Sequence, residues 1–333
     1  MPEGDTDGLL ISLDPPEHTR MRMLVSKGFT PRRVRDLEAK IAHHVDRLID
    51  DVADQGGCEM VSAMASELPL QVIAEMVGVP EADRHQVFHW TEESFGFDPE
   101  VSPEQRREAA TAMFVYADEL CQERQRNPQD DLMSGLIDAE VDGHKLTQMQ
   151  IDLFFLLLQN AGSETTRNLI TSGTIALLEH PDQLAWLTED LSGRLPTAIE
   201  ELLRWATPIL QFTRGLTRDT VVGGQEMAAG DHVAMWYPSA NRDERVFDRP
   251  FELDLARDPN EHIAFGSGGP HFCLGANLAR LEGRIIFESL FTRMKGLRLD
   301  ADPAELPRVH SNLIDGPAEL PLAWDEIVPV AAG

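Results

Sequence analysis

The chain has 333 residues, 42% hydrophobic and 26% charged, enough apolar material for a large core and too much for a disordered chain. Lys and Arg total 29 against 57 Asp and Glu, a formal charge of −28. A field of that sign repels phosphate backbones and anionic lipid, which argues against nucleic acid or a membrane surface as partner. Cys58, Cys121 and Cys273 are widely spaced, odd in number and form no C-x-x-C. A disulfide framework or zinc site is therefore not expected, and a reducing, cytoplasmic setting is. The opening MPEGDTDGLL lacks the basic and apolar regions of a signal peptide. The longest apolar run, residues 153–158, is far short of the roughly 20 residues a membrane span needs.

The first two thirds read as helices. Residues 36–53 carry Leu37, Ile41, Val45, Leu48 and Ile49 at helical spacing with charges between them. A shorter apolar helix over 67–77 is closed by Gly78 and Pro80. Helices over 88–95 and 104–125 follow, divided by a loop over 96–103 that holds Gly and Pro. Thr147 opens the most apolar helix with the capping box T-Q-M-Q, Leu146 standing ready as its staple, and His180-Pro181 stops it at Glu179. Residues 195–205 form another helix, ended by Pro208. Beyond it, Val221-Val222, a Gly223-Gly224 turn and residues 232–237 read as short strands and hairpins. A Pro-rich meander over 248–259 leads into a glycine-rich segment and a last helix over 276–294. The expected class is mainly α with small β-sheets in a single domain, 1–333. It is helix-rich over 14–206, with hairpins, meander and glycine loop over 207–275, and a final helix and β region over 276–333. Neither G-x-G-x-x-G after a strand nor G-x-x-x-x-G-K-[ST] occurs, so no nucleotide-binding unit is expected.

The stretch F-G-S-G-G-P-H-F-C-L-G-A, from Phe265 to Ala276, carries the most chemical information. Gly266, Gly268 and Gly269 let the backbone lie close to something flat and wide. Cys273 then stands at the mouth of the next helix, where free N–H groups and the dipole favour a thiolate. A thiolate held by such donors beside a glycine-lined surface is what a haem iron takes from an axial cysteine. The alternative is a small buried cysteine in a helix-start loop.

This segment fills every fixed position of F-x-x-G-x-x-x-C-x-G and so resembles the haem-binding signature of the cytochrome P-450 superfamily of haem-thiolate monooxygenases. The family's other motifs follow in order. Ala161-Gly162-Ser163-Glu164-Thr165-Thr166 resembles the oxygen-activation motif of the long central helix. A Gly followed by an acid and hydroxyls there is expected to open the hydrogen-bond ladder. Thr165 would donate to dioxygen, with Thr166 the alternative, and Glu164 would relay protons. Glu201-Leu-Leu-Arg204 resembles the E-x-x-R pair, with Arg257 matching its meander arginine; these are expected to be structural. Asp14-Pro-Pro-Glu-His18-Thr-Arg-Met-Arg22 resembles the helix that binds the haem propionates, and Arg214 and His271 match the other propionate contacts.

The resemblance implies a cytochrome P-450 fold with haem b held by Cys273, His18, Arg22, Arg214, Phe265, His271 and Gly275. It implies insertion of one atom of O2 into an apolar small molecule, a steroid, terpenoid or branched lipid. Electrons would come from a separate ferredoxin and ferredoxin reductase, and so indirectly from NAD(P)H, to a monomeric enzyme. The basic run with Lys27, Arg32, Arg33 and Arg35 is expected to dock the ferredoxin. Phe154, Phe155 and Leu158 are expected to wall the substrate. Only MPEGDTDGLLISL precedes Asp14, so an N-terminally truncated form of the fold is expected, one that holds haem weakly or couples badly beside an upstream-extended form. A haem binder without turnover, or a non-functional truncated relative, are the other readings.

Overall fold

A computed structural model describes residues 8–95 and 100–330. The chain opens with α1 (Glu17–Val25), α2 (Pro31–Asp36) and α3 (Glu38–Asp51). The helix expected over 36–53 is α3, with Asp36 ending α2 and Leu37 joining the two. Pro31 at the first helical position and the Thr30 hydroxyl, which accepts from Arg33 N–H, start α2. After β1 (Gly57–Glu59) and a π-helical turn (Val61–Ala65), α4 (Glu67–Val77) runs over the expected residues and ends on Gly78 at φ +94°. Cys58 lies in β1. The next helix, α5 (Glu81–Phe95), begins well before the expected residue 88. Residues 96–99 of the expected loop lie outside the described residues, and Pro103 already belongs to α6 (Pro103–Arg126), capped by Ser102 and Gln105.

Then come α7 (Leu132–Asp138), the hairpin β2 (Glu140–Val141) and β3 (His144–Lys145), and α8 (Gln148–Glu179). The forecast capping box of α8 is formed in both directions. Thr147 Oγ1 accepts from Gln150 N–H at 3.3 Å, and Gln150 Oε1 accepts from Thr147 N–H at 2.9 Å. Pro181 ends α8 and serves as the first residue of α9 (Pro181–Glu189), which leads to α10 (Leu191–Ala206). The last of these begins ahead of the expected Leu195, because Asp190 caps it by accepting from Gly193 N–H at 3.1 Å.

The β region holds β4 (Gln211–Gly215), β5 (Thr220–Val222), β6 (Gln225–Met227) and β7 (His232–Trp236), followed by α11 (Tyr237–Ala240). β5 and β6 form the forecast hairpin, and Gly223 and Gly224 have φ of 58° and 86°, as a two-residue turn of the primed type requires. β7 pairs antiparallel with β4, which encloses that hairpin. The chain closes with α12 (Ala276–Arg293), β8 (Met294–Lys295), β9 (Arg298–Leu299), β10 (Pro321–Ala323) and β11 (Glu326–Ile327). β1, β10 and β9 form a three-stranded antiparallel sheet that joins the two ends of the chain.

Packing converges on α8, which lies against α4, α6, α10 and α12. The buried side chains from Leu10 to Trp324 form a continuous apolar cluster. None of the helices in the described residues is long and apolar enough to cross a membrane.

Several polar side chains are buried, and one of them is a carboxyl on α12. Glu282 on α12 is 2% exposed, its Oε2 has no hydrogen-bond partner, and burial pushes the carboxyl up from 4.5 to about 8. Unfolded, the group ionises near 4.5, so its contribution to stability is full below that pH and is lost as pH rises toward about 8. Glu282→Gln keeps the shape and removes the charge. It should leave Tm unchanged at pH 4 and raise it at pH 8 by roughly 2 °C or more; scanning calorimetry at both pH values checks this, and an equal shift at both would refute it.

Candidate functional site

The loop before α12 closes on itself through backbone bonds. Gly266 N–H donates to Ile263 O at 2.8 Å, Phe272 N–H to Gly269 O at 3.1 Å, and Cys273 N–H to Phe265 O at 2.9 Å. Gly266 and Gly268 have φ of 84° and 58°, so glycine is needed there for the torsion. A Cβ on Gly275 would meet nothing within 4 Å, and one on Gly269 only Ser267 O at 3.8 Å, so this side of the loop presents a bare backbone surface.

Cys273 is exposed in area yet walled by protein on its other sides. Burial pushes its thiol up, against the Gly275 N–H and the charges of Arg22 and Arg280, which pull it down. The expected thiolate preference is thus corrected: the helix-start donor is in place, but desolvation outweighs it. A coordinating metal ion reverses that balance by removing the proton outright. Phe265, half-buried, lies under the Arg280 guanidinium at 4.6 Å from ring centroid to Cζ and beside Phe272.

Two further segments bring basic groups to this loop. Arg22 on α1 donates to Phe272 O. His18, one turn earlier, stacks its ring 4.1 Å from that of His271. Burial and the charge of Arg214, whose place is on β4, push His271 down. Burial, His271 and Arg22 all push His18 down, with only Asp14 acting the other way. His18 is 1% exposed, and neither of its ring nitrogens has a partner. Cations held this close, with a buried donor left over, suit a ligand that brings carboxylates. His18, Arg22, Arg214, His271 and Cys273 therefore form one connected group.

Below the loop lies a buried ionic node. Arg204 donates to both oxygens of Glu201 at 2.7 Å, both side chains being 0% exposed. Arg257 Nε donates to Glu201 Oε2 at 3.0 Å, and Asn260 adds a bond at 2.9 Å. The arginines also bind meander carbonyls, Arg204 those of Asn241 and Pro250, and Arg257 that of Asp248. Glu201, Arg204 and Arg257 thus form one hydrogen-bonded node with the meander.

The sequence reading missed the neighbour of this node. Glu200 accepts from Arg280 at 2.7 Å and 2.8 Å and pairs with His262 at 3.0 Å. Burial raises its carboxyl, but these partners outweigh it and hold it at about 2. Asn241 was missed too; its side chain accepts from Ile263 N–H at 2.8 Å and donates to Thr207 at 2.9 Å. The adjacency of Glu200 to Glu201 is the one sequence signal for the former, and Asn241 has none.

Glu164 and Thr165 lie on α8, and their hydrogen bonds stay within that helix. Contrary to the expected opening, α8 runs unbroken, and Thr165 Oγ1 donates to Ala161 O at 2.9 Å, four residues back. Gly162 has a steric reason instead: a Cβ there would stand 2.4 Å from Ile73 Cδ1 on α4. Glu164 pairs with Arg167 at 2.7 Å, and burial, only partly offset by Arg167, pushes its carboxyl up. Thr165 is half-buried, whereas Thr166 is 4% exposed. The expected substrate wall needs correction as well. Phe154 and Phe155 are 3% and 2% exposed and belong to the core, while Leu157, Leu158 and Ala161 keep accessible surface beside Thr165.

The cytochrome P450 family model matches residues 69–304. Methyl-branched lipid omega-hydroxylase of Mycobacterium tuberculosis (strain ATCC 25618 / H37Rv) is 44% identical over 323 residues, covering 95% of this chain and 75% of that protein. Steroid C26-monooxygenase of Rhodococcus jostii is 41% identical over 299 residues, 90% of this chain and 63% of that protein. The bacillaene polyketide synthase cytochrome P450 of Bacillus subtilis superposes with a TM-score of 0.92 at 35% identity, covering 97% of this chain and 84% of that one. A Mycobacterium marinum cytochrome P450 in complex with pseudoionone gives 0.87 at 39% identity, with 95% and 77% covered.

The node yields a direct test. Arg257→Ala leaves Glu201 short of a cation inside a buried network and should cost about 3–5 kcal/mol. Arg257→Lys, a point charge without the planar fork, should fall between that and the unsubstituted protein. Thermal unfolding of the three forms checks the ranking.

Proposed function

The chain belongs to the cytochrome P450 family, and on that premise we propose that it hydroxylates an apolar, branched or steroid-like carbon skeleton with electrons from a small ferredoxin. The observation that carries this reading is the union of an accessible Cys273 with the basic side chains Arg22 and Arg214 and the imidazoles of His18 and His271. These residues fit haem b. Cys273 would hold the iron through sulfur, with Gly275 N–H as its donor. The cation group would neutralise the two propionates, and Phe265 would pack beside the sulfur. When bound, haem supplies the redox centre that activates O2, so that one oxygen atom enters a C–H bond and the other leaves as water.

The protein's own part is to position and to move protons. Thr165 presents a hydroxyl on the accessible face of α8, and Glu164 beside it carries a carboxyl that burial keeps protonated to higher pH than usual. Leu157, Leu158 and Ala161 give that face an apolar surface for the substrate. The relatives' printed activities, on methyl-branched lipids and steroids, support an apolar ligand of that class.

Replacing Cys273 by Ala should abolish the thiolate-type spectrum of the reduced, CO-treated protein. Cys58→Ser and Cys121→Ser should keep it, since Cys58 sits in β1 and Cys121 is buried in α6 against Gln148. Retention of that spectrum in Cys273→Ala overturns the assignment.

Electron entry is proposed at α2, which packs against α12 behind the cysteine loop. Lys27 donates to Glu140 O at 2.9 Å and Arg33 pairs with Asp130 at 2.6 Å, while Arg32 and Arg35 stand exposed. In a chain of charge −28 this basic island steers an acidic donor. Arg32→Glu with Arg35→Glu should slow reduction by ferredoxin about tenfold or more at low salt, fading as salt rises. Stopped-flow reduction checks this, with dithionite, whose rate should not change, as control.

A further inference from the structure

Two lines of contact run from Glu200 on α10 to the cysteine loop. In the first, Arg280 of α12 donates through Nε and Nη2 to the two Glu200 oxygens, at 2.7 Å and 2.8 Å. That fork holds the guanidinium over the face of Phe265, 4.6 Å from Cζ to the ring centroid. The Phe265 carbonyl in turn accepts from Cys273 N–H at 2.9 Å. In the second, His262 Nδ1 accepts from Ala264 N–H at 3.2 Å, so Nε2 carries the proton and donates to Glu200 at 3.0 Å. The His262 ring also lies 6.1 Å from that of Phe265. Phe265 is therefore held through its ring by Arg280 and through its chain neighbour by His262, and both holds end on one carboxylate.

These contacts carry charge as well as shape. Burial raises the Glu200 carboxyl, but Arg280 and His262 outweigh it and hold it at about 2, so it is ionised at neutral pH. A guanidinium keeps its proton there as well. The Arg280 and Glu200 side chains are 33% and 27% exposed, so water screens the pair only in part. Against the burial around Cys273, and beside the Gly275 N–H and Arg22, the charge of Arg280 favours negative charge on the sulfur. A cation placed in this way also favours an electron arriving at a centre bound to that sulfur, and an anion fixed on the cation takes part of the effect back.

From this linkage we propose that Glu200 and Arg280 form a matched charge pair that sets how readily haem held by Cys273 accepts an electron. Arg280 raises that readiness, and Glu200 both anchors and moderates Arg280. The two are positioning residues: they act through Phe265 and through the field at the sulfur. The electron is the one the ferredoxin delivers; the pair makes and breaks no bond and moves no proton. The assignment rests on the monooxygenase reading, in which Cys273 ligates haem.

The test is a spectroelectrochemical titration of the haem-loaded full chain and its variants, with the CO spectrum of each reduced form recorded beside it. Arg280→Gln removes the cation and should make reduction about tenfold less favourable, about 59 mV for a one-electron couple. Glu200→Gln keeps an acceptor for the fork but removes the anion, and should shift the equilibrium about threefold or more the opposite way. The double variant removes both charges and should lie between the two single ones, whereas a pair that only shaped the loop would leave it no better than the worse of them. Arg280→Lys and Glu200→Asp keep the charges and should stay within about threefold of the unsubstituted chain. The proposal is overturned if Glu200→Gln lowers the potential or leaves it unchanged, or if the double variant falls outside the interval between the single ones. Loss of the thiolate-type CO spectrum from either single Gln variant overturns it too, since the pair would then hold the loop and not the potential. Absence of that spectrum from the unsubstituted chain overturns the monooxygenase reading and this proposal together.

Discussion

The Glu201 carboxylate, held between Arg204 and Arg257 with no exposure to water, is the constraint around which the site is arranged. Taking a carboxylate and a guanidinium out of water is costly, and Coulomb attraction repays it only when geometry and additional hydrogen bonds are good. Both conditions are met. Arg204 is bidentate, and the donors it has left reach meander carbonyls that would otherwise be buried without partners. The meander has little regular structure, so its shape is set by these side chains instead of by a ladder of its own. The cysteine loop inherits that shape through Asn241, which receives Ile263 N–H, and through Asn260, which binds Glu201.

The chemistry was most legible where it is local in sequence. The glycine and cysteine spacing of residues 265–276, the E-x-x-R pair and the capping box of Thr147 are short-range patterns, and each has the expected local form. Helices α7 and α9 were not legible because they are short, and the Pro181 that starts α9 reads equally well as a stop. Asn241 and Arg280 carry no local pattern at all, and Glu200 has only its place beside Glu201. Their meaning comes from segments that meet only in the fold. The misread kink in α8 has a different origin: hydroxyls in a helix signal an open ladder only if they leave it, and Thr165 instead bonds back to Ala161.

Electrostatics divides the molecule unevenly. Against an overall charge of −28, basic side chains are gathered around His18 and His271 and along α2. The first group is unfavourable by itself, since its members disfavour protonation of His18, whose buried imidazole bonds to nothing. A ligand bearing carboxylates would offset that effect and supply the missing acceptors, so binding and local order would strengthen together.

Glu200 and Glu201 are successive residues, so their side chains leave α10 about 100° apart. One takes the meander through Arg257, and the other takes His262 ahead of the cysteine loop and Arg280 behind it. A single helical turn therefore fixes the loop from two directions, as two spokes on one hub orient a rim. Any repacking that rotates α10, such as overfilling the space beneath Ile199 and Leu202, would swing the sulfur of Cys273 sideways before it reached the accessible face of α8. Drift in the surface hairpin β5–β6 has no such lever. Sulfur placement is thus expected to tolerate change at the periphery and to be unforgiving along one short stretch of one helix.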